Sequence, residues 1–312
     1  MKYQRVVVVA AGVLSFCACL PASAAELLVT SWNGNRVGRF SMTGTFIANL
    51  ESGGMSHPLC TRVGPDGLLY VASEGNHSIK RYNAATGAFI DNFIPSGSGG
   101  LTSPTGLTWG GDGNLYVSSF DGNSVLRYNG TTGAFIDTFI TTGLGGLNGA
   151  DNGTIFGPDG NLYVPSYNNN RILKYSGTDG SFIGIFASIN KPRVLEFRGS
   201  SLYVTSETAD AVARYDATTG ASQGTFVTAH SGGLDEPIGM AFGNDGFLYV
   251  TSGSNNRVFR YNDTTGAFVD ILIPTGTGGI SGPTFVTVVV PTPGAGALAI
   301  IGLAMAGRRR TR

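Results

Sequence analysis

Two positions of an internal sequence repeat carry side chains that vary from copy to copy and are suited to binding a ligand. The first position follows a recurrent proline and is filled by Leu59, Thr105, Asn152, Arg193, Ile238 and Thr284. The second ends a Leu-Tyr-Val strand and is filled by Trp32, Glu74, Phe120, Tyr167, Glu207 and Gly253. Aromatic rings beside carboxylates, an amide and a guanidinium can stack on and hydrogen-bond a sugar or a peptide.

The candidate ligand-binding residues are Trp32, Glu74, Phe120, Asn152, Tyr167, Arg193 and Glu207. Because the start of strand one and the end of strand two lie on the same face of a meander, we expect both positions to surround one channel mouth. An alternative interpretation is that the three aromatic residues of this set only cover the core beneath the loops.

Catalysis is a second hypothesis for this region. His57 and Glu236 each precede a proline beside the variable positions, and either of them, acting with Arg193, would be the catalytic group of a hydrolase or lyase. The sequence contains no P-loop, nucleophile elbow, Cys/His cluster or paired-carboxylate motif. No catalytic set is therefore predicted with the same support as the binding face.

A metal ion or other cofactor is not predicted. A hard divalent cation needs several oxygen ligands that converge on one point. The first variable position supplies Asn152 alone, because strand alternation predicts that the neighbouring Asp151 faces away. Leu59, Ile238 and Arg193 are poor neighbours for a cation.

The two positions belong to a repeat of 40 to 47 residues. The motif Leu-Tyr-Val recurs with its tyrosine at Tyr70, Tyr116, Tyr163, Tyr203 and Tyr249, and Leu27-Leu28-Val29 is a degenerate first copy. Each copy carries four short apolar runs separated by Asp-Gly, Asn-Gly or Thr-Gly turns, which are typical of β-hairpins. Six such copies predict an all-β, six-bladed β-propeller of four-stranded antiparallel blades.

Ring closure is expected to involve both ends of this region, residues 26–290. Residues 26–50 supply three strands, and the run 283–288 aligns with the first strand of the other copies. We therefore expect the C-terminal strand to complete the first blade. Such closure leaves no long unpaired sheet edge.

Positions that are filled alike in every copy are interpreted as scaffold. A serine follows Leu-Tyr-Val at Ser31, Ser73, Ser119, Ser166, Ser206 and Ser252, and its hydroxyl is expected to bond the backbone of the following turn. A basic–aromatic pair, such as Arg81-Tyr82, recurs on strand three, where the ring would pack between blades and the basic stem would cover apolar surface. A ring of charge for a polyanion is the alternative.

The blade sequence resembles the NHL repeat, and Gly113-Asn114-Leu115-Tyr116-Val117 and Gly160-Asn161-Leu162-Tyr163-Val164 carry the likeness most clearly. The resemblance covers roughly residues 26–290 and implies a six-bladed propeller. Serine stands where that family usually has aspartate after the Val of the motif. Among propeller enzymes, the gluconolactonase type and the streptogramin-inactivating type are the models for the catalytic alternative.

The two ends of the chain resemble targeting signals. Residues 1–25 have a basic start, an apolar run and Ala22-Ser23-Ala24, as in a secretory signal peptide. Cleavage after Ala24 would leave Cys60 as the one cysteine, so that no intrachain disulfide could form. Residues 291–312 join a Pro-Thr-Pro start, a short apolar segment and an arginine cluster, and resemble the PEP-CTERM sorting tail. That resemblance implies transient membrane retention and processing by an exosortase-like enzyme.

The net charge of residues 26–290 indicates which class of partner the chain does not favour. Six of the 20 Lys and Arg residues lie in the two terminal segments, which leaves 14 against 20 Asp and Glu in the body. An acidic body argues against nucleic-acid binding. The sequence therefore predicts a secreted or surface-sorted, non-enzymatic binding or structural module of the bacterial envelope or extracellular matrix, with an envelope polysaccharide or a protein as ligand. A hydrolase or lyase that acts at the channel mouth is the alternative.

Overall fold

The computed structural model describes residues 25–289, so the predicted signal peptide and sorting tail lie outside the described residues. These residues form six four-stranded antiparallel sheets, which confirms the predicted propeller. Within the described range, no helix is long and apolar enough to cross a membrane.

Each sheet is one blade, and the blades are numbered here in chain order. Blade one contains β1 (Glu26–Ser31), β2 (Arg36–Ser41), β3 (Phe46–Asn49) and the last strand, β24 (Pro283–Val289). Blade two contains β4 (Pro58–Val63), β5 (Leu69–Ser73), β6 (Ser78–Tyr82) and β7 (Phe89–Ile94). Blade three contains β8 (Pro104–Trp109), β9 (Leu115–Ser119), β10 (Ser124–Tyr128) and β11 (Phe135–Ile140).

The remaining blades repeat the same order from the channel outward. Blade four contains β12 (Ile155–Phe156), β13 (Leu162–Ser166), β14 (Arg171–Tyr175) and β15 (Phe182–Ser188). Blade five contains β16 (Pro192–Arg198), β17 (Ser201–Ser206), β18 (Ala211–Asp216) and β19 (Ser222–Val227). Blade six contains β20 (Pro237–Phe242), β21 (Phe247–Ser252), β22 (Arg257–Asn262) and β23 (Phe268–Ile273).

Short 3-10 turns occur at two kinds of place. Three follow the second strand of a blade, at Glu74–Asn76, Tyr167–Asn169 and Glu207–Ala209. Four lie in the loops between blades, at Ser98–Gly100, Leu144–Gly146, Ser231–Gly233 and Thr277–Gly279. The first kind places a variable residue at the point where the chain turns away from the channel mouth.

The ring is closed by β24, which pairs antiparallel with β1 as the sequence predicts. The register places Glu26 opposite Val289 and Val29 opposite Val286. Buried hydroxyls add to the closure, because Thr30 Oγ1 lies 2.8 Å from Thr284 Oγ1. The first blade is thus built from both ends of the described chain.

Blade four departs from the pattern at its innermost strand. Where the other blades have a regular strand, residues 151–153 make a tight turn and β12 shortens to two residues. Gly153 packs so closely on the Arg193 backbone that a Cβ atom would overlap it. Asn152 is fully buried, and its Nδ2 lies 3.4 Å from the Thr284 carbonyl oxygen in blade one. Because blades one and four face each other, this turn spans the channel.

Neighbouring blades are joined by aromatic rings from the Leu-Tyr-Val motif. Tyr70 is buried edge-on between Phe93 of its own blade, at 5.0 Å, and Trp109 of the next, at 4.9 Å. Tyr116, Tyr163 and Tyr203 make the same pair of contacts. Tyr70 also donates its hydroxyl to the turn residue Asp66 at 2.8 Å. The motif therefore packs blade against blade and fixes the hairpin turn.

The basic–aromatic pair of strand three is scaffold, in agreement with the first of its two interpretations. Arg127 is paired with Asp137 of the neighbouring strand and lies over the Phe139 ring at 5.1 Å. The buried Tyr128 donates its hydroxyl to the Ser98 carbonyl at 2.7 Å. Five of the six strand-three cations are paired with a carboxylate of their own blade.

The repeated serine makes a different bond from the predicted one. Ser119 Oγ donates to the Thr102 carbonyl at 2.8 Å, in the loop that precedes strand one. The other five serines donate to the equivalent carbonyls of Ser281, Ser56, Asn148, Asn190 and Asp235. The prediction of a bond to the following turn's backbone was wrong, because that loop comes back over the end of strand two and brings a carbonyl nearer.

The one cysteine of the described range lies in the core. Cys60 is fully buried as a free thiol on β4. Burial raises the pKa of this thiol to about 11, so the reactive thiolate is strongly disfavoured.

The loops between blades are held by a phenylalanine from the outermost strand. In blade three, Phe135 lies directly over Gly99, and both Gly97 and Gly99 adopt positive φ angles. A Cβ atom at Gly99 would overlap the Phe135 ring, whereas one at Gly97 would meet no described atom within 4 Å. Both glycines therefore adopt a left-handed backbone conformation, but only Gly99 lacks room for a side chain.

We predict that Gly99→Ala destabilises the fold more than Gly97→Ala. The left-handed backbone alone should cost about 1 kcal/mol in either variant. At Gly99, overpacking against Phe135 should add roughly 1–3 kcal/mol. Chemical denaturation of both variants measures the difference, and equal losses would show that the phenylalanine does not hold the loop.

Candidate ligand-binding site

One mouth of the channel forms a cup with a volume of about 330 Å³. It is lined by Trp32, Asn33, Leu59, Glu74, Thr105, Phe120, Tyr167, Arg193, Glu236, Ile238, Gly253, Gly282 and Thr284. These residues come from the starts of the innermost strands and the ends of the second strands. Both variable positions of the repeat therefore meet in one cavity, as the meander predicts.

The predicted binding residues occupy two layers of this cup. Trp32, Glu74, Phe120, Tyr167 and Arg193 line the cavity itself. Asn152 and Glu207 are not among the lining residues and lie behind it. Five of the seven candidate residues thus line the cavity, and their role in ligand binding stays a prediction.

Of the three residues of the catalytic alternative, two line the cup and the third does not. Glu236 and Arg193 line the cup. The His57 ring instead packs on Trp32, with 4.3 Å between ring centroids, and its Nδ1 lies 3.3 Å from Ser56 Oγ. His57 is not among the lining residues.

Arg193 is the centre of a buried charge cluster. Its Nη1 donates to Asp151 Oδ2 at 2.9 Å, and its Nη2 is paired with Glu207. Tyr167 lies under the guanidinium, at 4.2 Å from ring centroid to Cζ, and donates its hydroxyl to Glu207 Oε1 at 2.7 Å. Arg193 therefore holds together side chains from blades four and five.

The prediction that Asp151 faces away was wrong. Its carboxylate is fully buried and faces Arg193. The turn at residues 151–153 breaks the strand alternation on which that prediction rested. The sequence did hold a signal for the turn, because Asp, Asn and Gly favour turns over strands.

Burial and charge pairing act in opposite directions on this cluster. Burial raises the pKa of Asp151, and the Arg193 guanidinium offsets only part of that rise. Burial also disfavours the charged form of Arg193, but the carboxylates of Asp151 and Glu207 outweigh it and raise the pKa of the guanidinium. Each ion thus depends on its partners to remain charged in a dry position.

The opposite wall of the cup carries Glu74. Trp32 Nε1 donates to Glu74 Oε2 at 2.6 Å and so links blades one and two. Burial raises the pKa of Glu74, and the nearby carboxylates of Asp151 and Asp121 add to the rise, whereas the Trp32 hydrogen bond acts against it. Burial therefore disfavours the ionised form of Glu74, whereas the Trp32 hydrogen bond and the nearby His57 favour it.

Metal binding is not supported by a ligand cluster in this part of the molecule. Among residues 25–289, no three or more Asp, Glu, His or Cys side chains are arranged to hold a metal ion. Asn152 Oδ1 is buried and has no hydrogen-bond partner among the described atoms.

The chain is similar in fold to solved propellers. One is in a crystal structure of a nidogen/laminin complex, at 18% identity and a TM-score of 0.69, covering 86% of this chain and all of that one. A streptogramin B lyase matches at 15% identity and a TM-score of 0.60, covering 86% and 88% of the two chains. A Bacteroides caccae protein of unknown function matches at 15% identity and a TM-score of 0.67, covering 86% and 99%.

Sequence comparison adds no further assignment. No protein-family model matches the chain, and no curated protein is detectably similar to it in sequence. The structural likenesses show the fold.

We predict that Arg193→Met lowers the free energy of unfolding by about 3–5 kcal/mol near pH 8, because Asp151 is left as an unpaired buried charge. Without Arg193, the folded-state pKa of Asp151 rises further above its unfolded value. The folded variant then binds more protons than the unfolded chain in the window between these values, so its stability falls as pH rises. The cost should be smaller near pH 5.

The control for this prediction is Arg193→Met in an Asp151→Asn background. Removal of the carboxylate should recover part of the loss and reduce its pH dependence. Chemical denaturation at the two pH values measures both. A loss that is independent of pH and of Asp151 would mean that the cluster contributes packing alone.

Proposed function

We propose that this propeller is a non-enzymatic binding module that takes a polar ligand into the cup. The observation that carries the proposal is the distribution of side chains among the six blades. Scaffold positions are filled alike in each blade, whereas the positions around the cup differ and combine aromatic rings with Glu74 and Arg193. Aromatic walls with a few fixed polar groups are typical of ligand sites.

We further propose that the module is exported and acts in a bacterial envelope or extracellular matrix. Support comes from the sequence alone, namely the signal-like residues 1–25 and the sorting-like residues 291–312. The resemblance of the blades to NHL repeats and of the tail to PEP-CTERM signals fits the same role. Exosortase-like processing and transient membrane contact are parts of this proposal.

The first candidate partner is a protein, and an envelope polysaccharide is the second. A similar propeller is found in a complex of nidogen with laminin. The acidic body and the internal pairing of the strand-three cations do not favour a polyanion such as nucleic acid.

A lyase or hydrolase remains the competing function, because a streptogramin B lyase shares the fold. The geometry supports it less well. Arg193 is already paired with two carboxylates, and His57 packs on Trp32 instead of lining the cup. An activity screen on lactones, esters and glycans, with His57→Ala as the control, tests this function.

We predict that the immobilised chain captures a specific component of a bacterial surface or matrix extract. Trp32→Ala/Tyr167→Ala should lose at least about tenfold of this capture, because it removes two walls of the cup. Ile47→Ala/Ile183→Ala removes two exposed apolar side chains from the outer strands and should retain it. Circular dichroism verifies that each variant is folded.

Treatment of the extract separates the partner classes. Protease sensitivity of the captured component would identify a protein, and sensitivity to periodate a polysaccharide. Equal capture by the cup variant and the outer-strand variant would contradict the proposed function.

A further inference from the structure

Three neighbouring blades place an aromatic residue, a carboxylate and a second aromatic residue side by side on one wall of the cup. Trp32 comes from blade one, Glu74 from blade two and Phe120 from blade three. Each lies where the second strand of its blade ends. Glu74 is therefore flanked on both sides by rings that also line the cavity, and these three residues are called the aromatic–acid wall here.

The carboxylate of this wall lacks a counter-charge. Among the described residues, Glu74 forms no ion pair within 4.0 Å, and its hydrogen bond is to the neutral indole of Trp32. The carboxylates of Asp151 and Asp121 raise its pKa, and the nearby His57 imidazole lowers it without forming an ion pair within 4.0 Å. A carboxylate that is partly buried and has no ion-pair partner is complementary to a cation.

Arg193, a cation that lines the cup, is not the counter-ion of Glu74. Arg193 belongs to blade five, which faces blade two across the ring, and it is paired with Asp151 and Glu207. Lys191 lies over the Tyr167 ring at 4.0 Å from centroid to Nζ, on the same side as Arg193. The two sides of the cup thus differ, because one has its charges balanced internally and the other has a free carboxylate.

We propose that the aromatic–acid wall binds the ammonium group of a ligand, with Glu74 as its counter-ion and the rings of Trp32 and Phe120 as cation–π partners. An ammonium over an aromatic face gains further stabilisation where water is excluded. This inference rests on the proposed function and adds the chemical class of the ligand. A cavity of about 330 Å³ has room for one side chain or one sugar, so a lysine side chain and an amino sugar are the two sources of this group that the proposal considers.

The test uses two pairs of probes that differ in one positive charge. The first pair is N-acetyl-lysine methylamide and N-acetyl-norleucine methylamide, and the second is glucosamine and N-acetylglucosamine. Binding of each to the purified chain is measured by saturation-transfer NMR and calorimetry. We expect the ammonium member of at least one pair to bind at least about tenfold tighter than its neutral partner, and the pair that does so identifies the source.

Two variants that each remove one carboxylate distinguish a direct contact between Glu74 and the ammonium group from long-range electrostatic attraction. Glu74→Gln keeps the shape of the wall and should weaken ammonium binding by at least about tenfold. Asp235→Asn removes an exposed carboxylate of blade six that does not line the cup, and should weaken it by less than about threefold, through the loss of long-range attraction alone. Phe120→Leu should weaken it as well, because it removes one ring.

The proposal is overturned if neither ammonium probe binds, if neutral and charged probes bind alike, or if Glu74→Gln and Asp235→Asn lose affinity equally. Its failure is distinguishable from failure of the proposed function. Capture of a partner that depends on Trp32 and Tyr167, without binding of either ammonium probe, would retain the binding module and exclude the ammonium wall.

Discussion

Closure of the ring by β24 and β1 is the constraint on which the rest of the molecule depends. A blade is a wedge that buries its faces only against its two neighbours, so five complete blades and one incomplete one would leave two apolar faces exposed. Pairing Glu26 with Val289 in one sheet removes both of them. The cup depends directly on this closure, because Trp32 and Thr284 both line it and come from opposite ends of the described chain, which meet in the first blade.

Within each repeat, the residues that hold the closed ring together differ from the residues that line the cup. The repeated serine makes the same bond in all six blades, and the strand-three arginine pairs with an aspartate of strand four in blades two, three and six. Those bonds hold the frame without help from the cup. The residues around the mouth are therefore free to differ, and they divide into a balanced cluster around Arg193 and an unbalanced wall around Glu74.

The repeat made the fold and most of the cup predictable from sequence. Five copies of Leu-Tyr-Val and one degenerate copy, separated by regular turns, predicted the strand order, and alignment of residues 283–288 with the other first strands identified the closing strand. The prediction failed where the chain leaves the repeat. The turn at residues 151–153 reverses the side of Asp151 and carries Asn152 across the channel, which no alternation rule anticipates. The contacts of the Arg193 cluster that join blade four to blade five, Arg193 to Asp151 and Tyr167 to Glu207, are not visible in one repeat.

The account is tested most directly by a disulfide across the closing pair, with Glu26→Cys and Val289→Cys in a Cys60→Ala background. The register predicts that it forms in the folded chain and, by closing a loop of about 260 residues, makes the oxidised form roughly 5 kcal/mol more stable than the reduced form. Glu26→Cys with Val288→Cys is the control, because a one-residue shift turns the second thiol to the opposite face. A bond that fails to form at the predicted pair, or that forms equally well in the control, would contradict the closed ring.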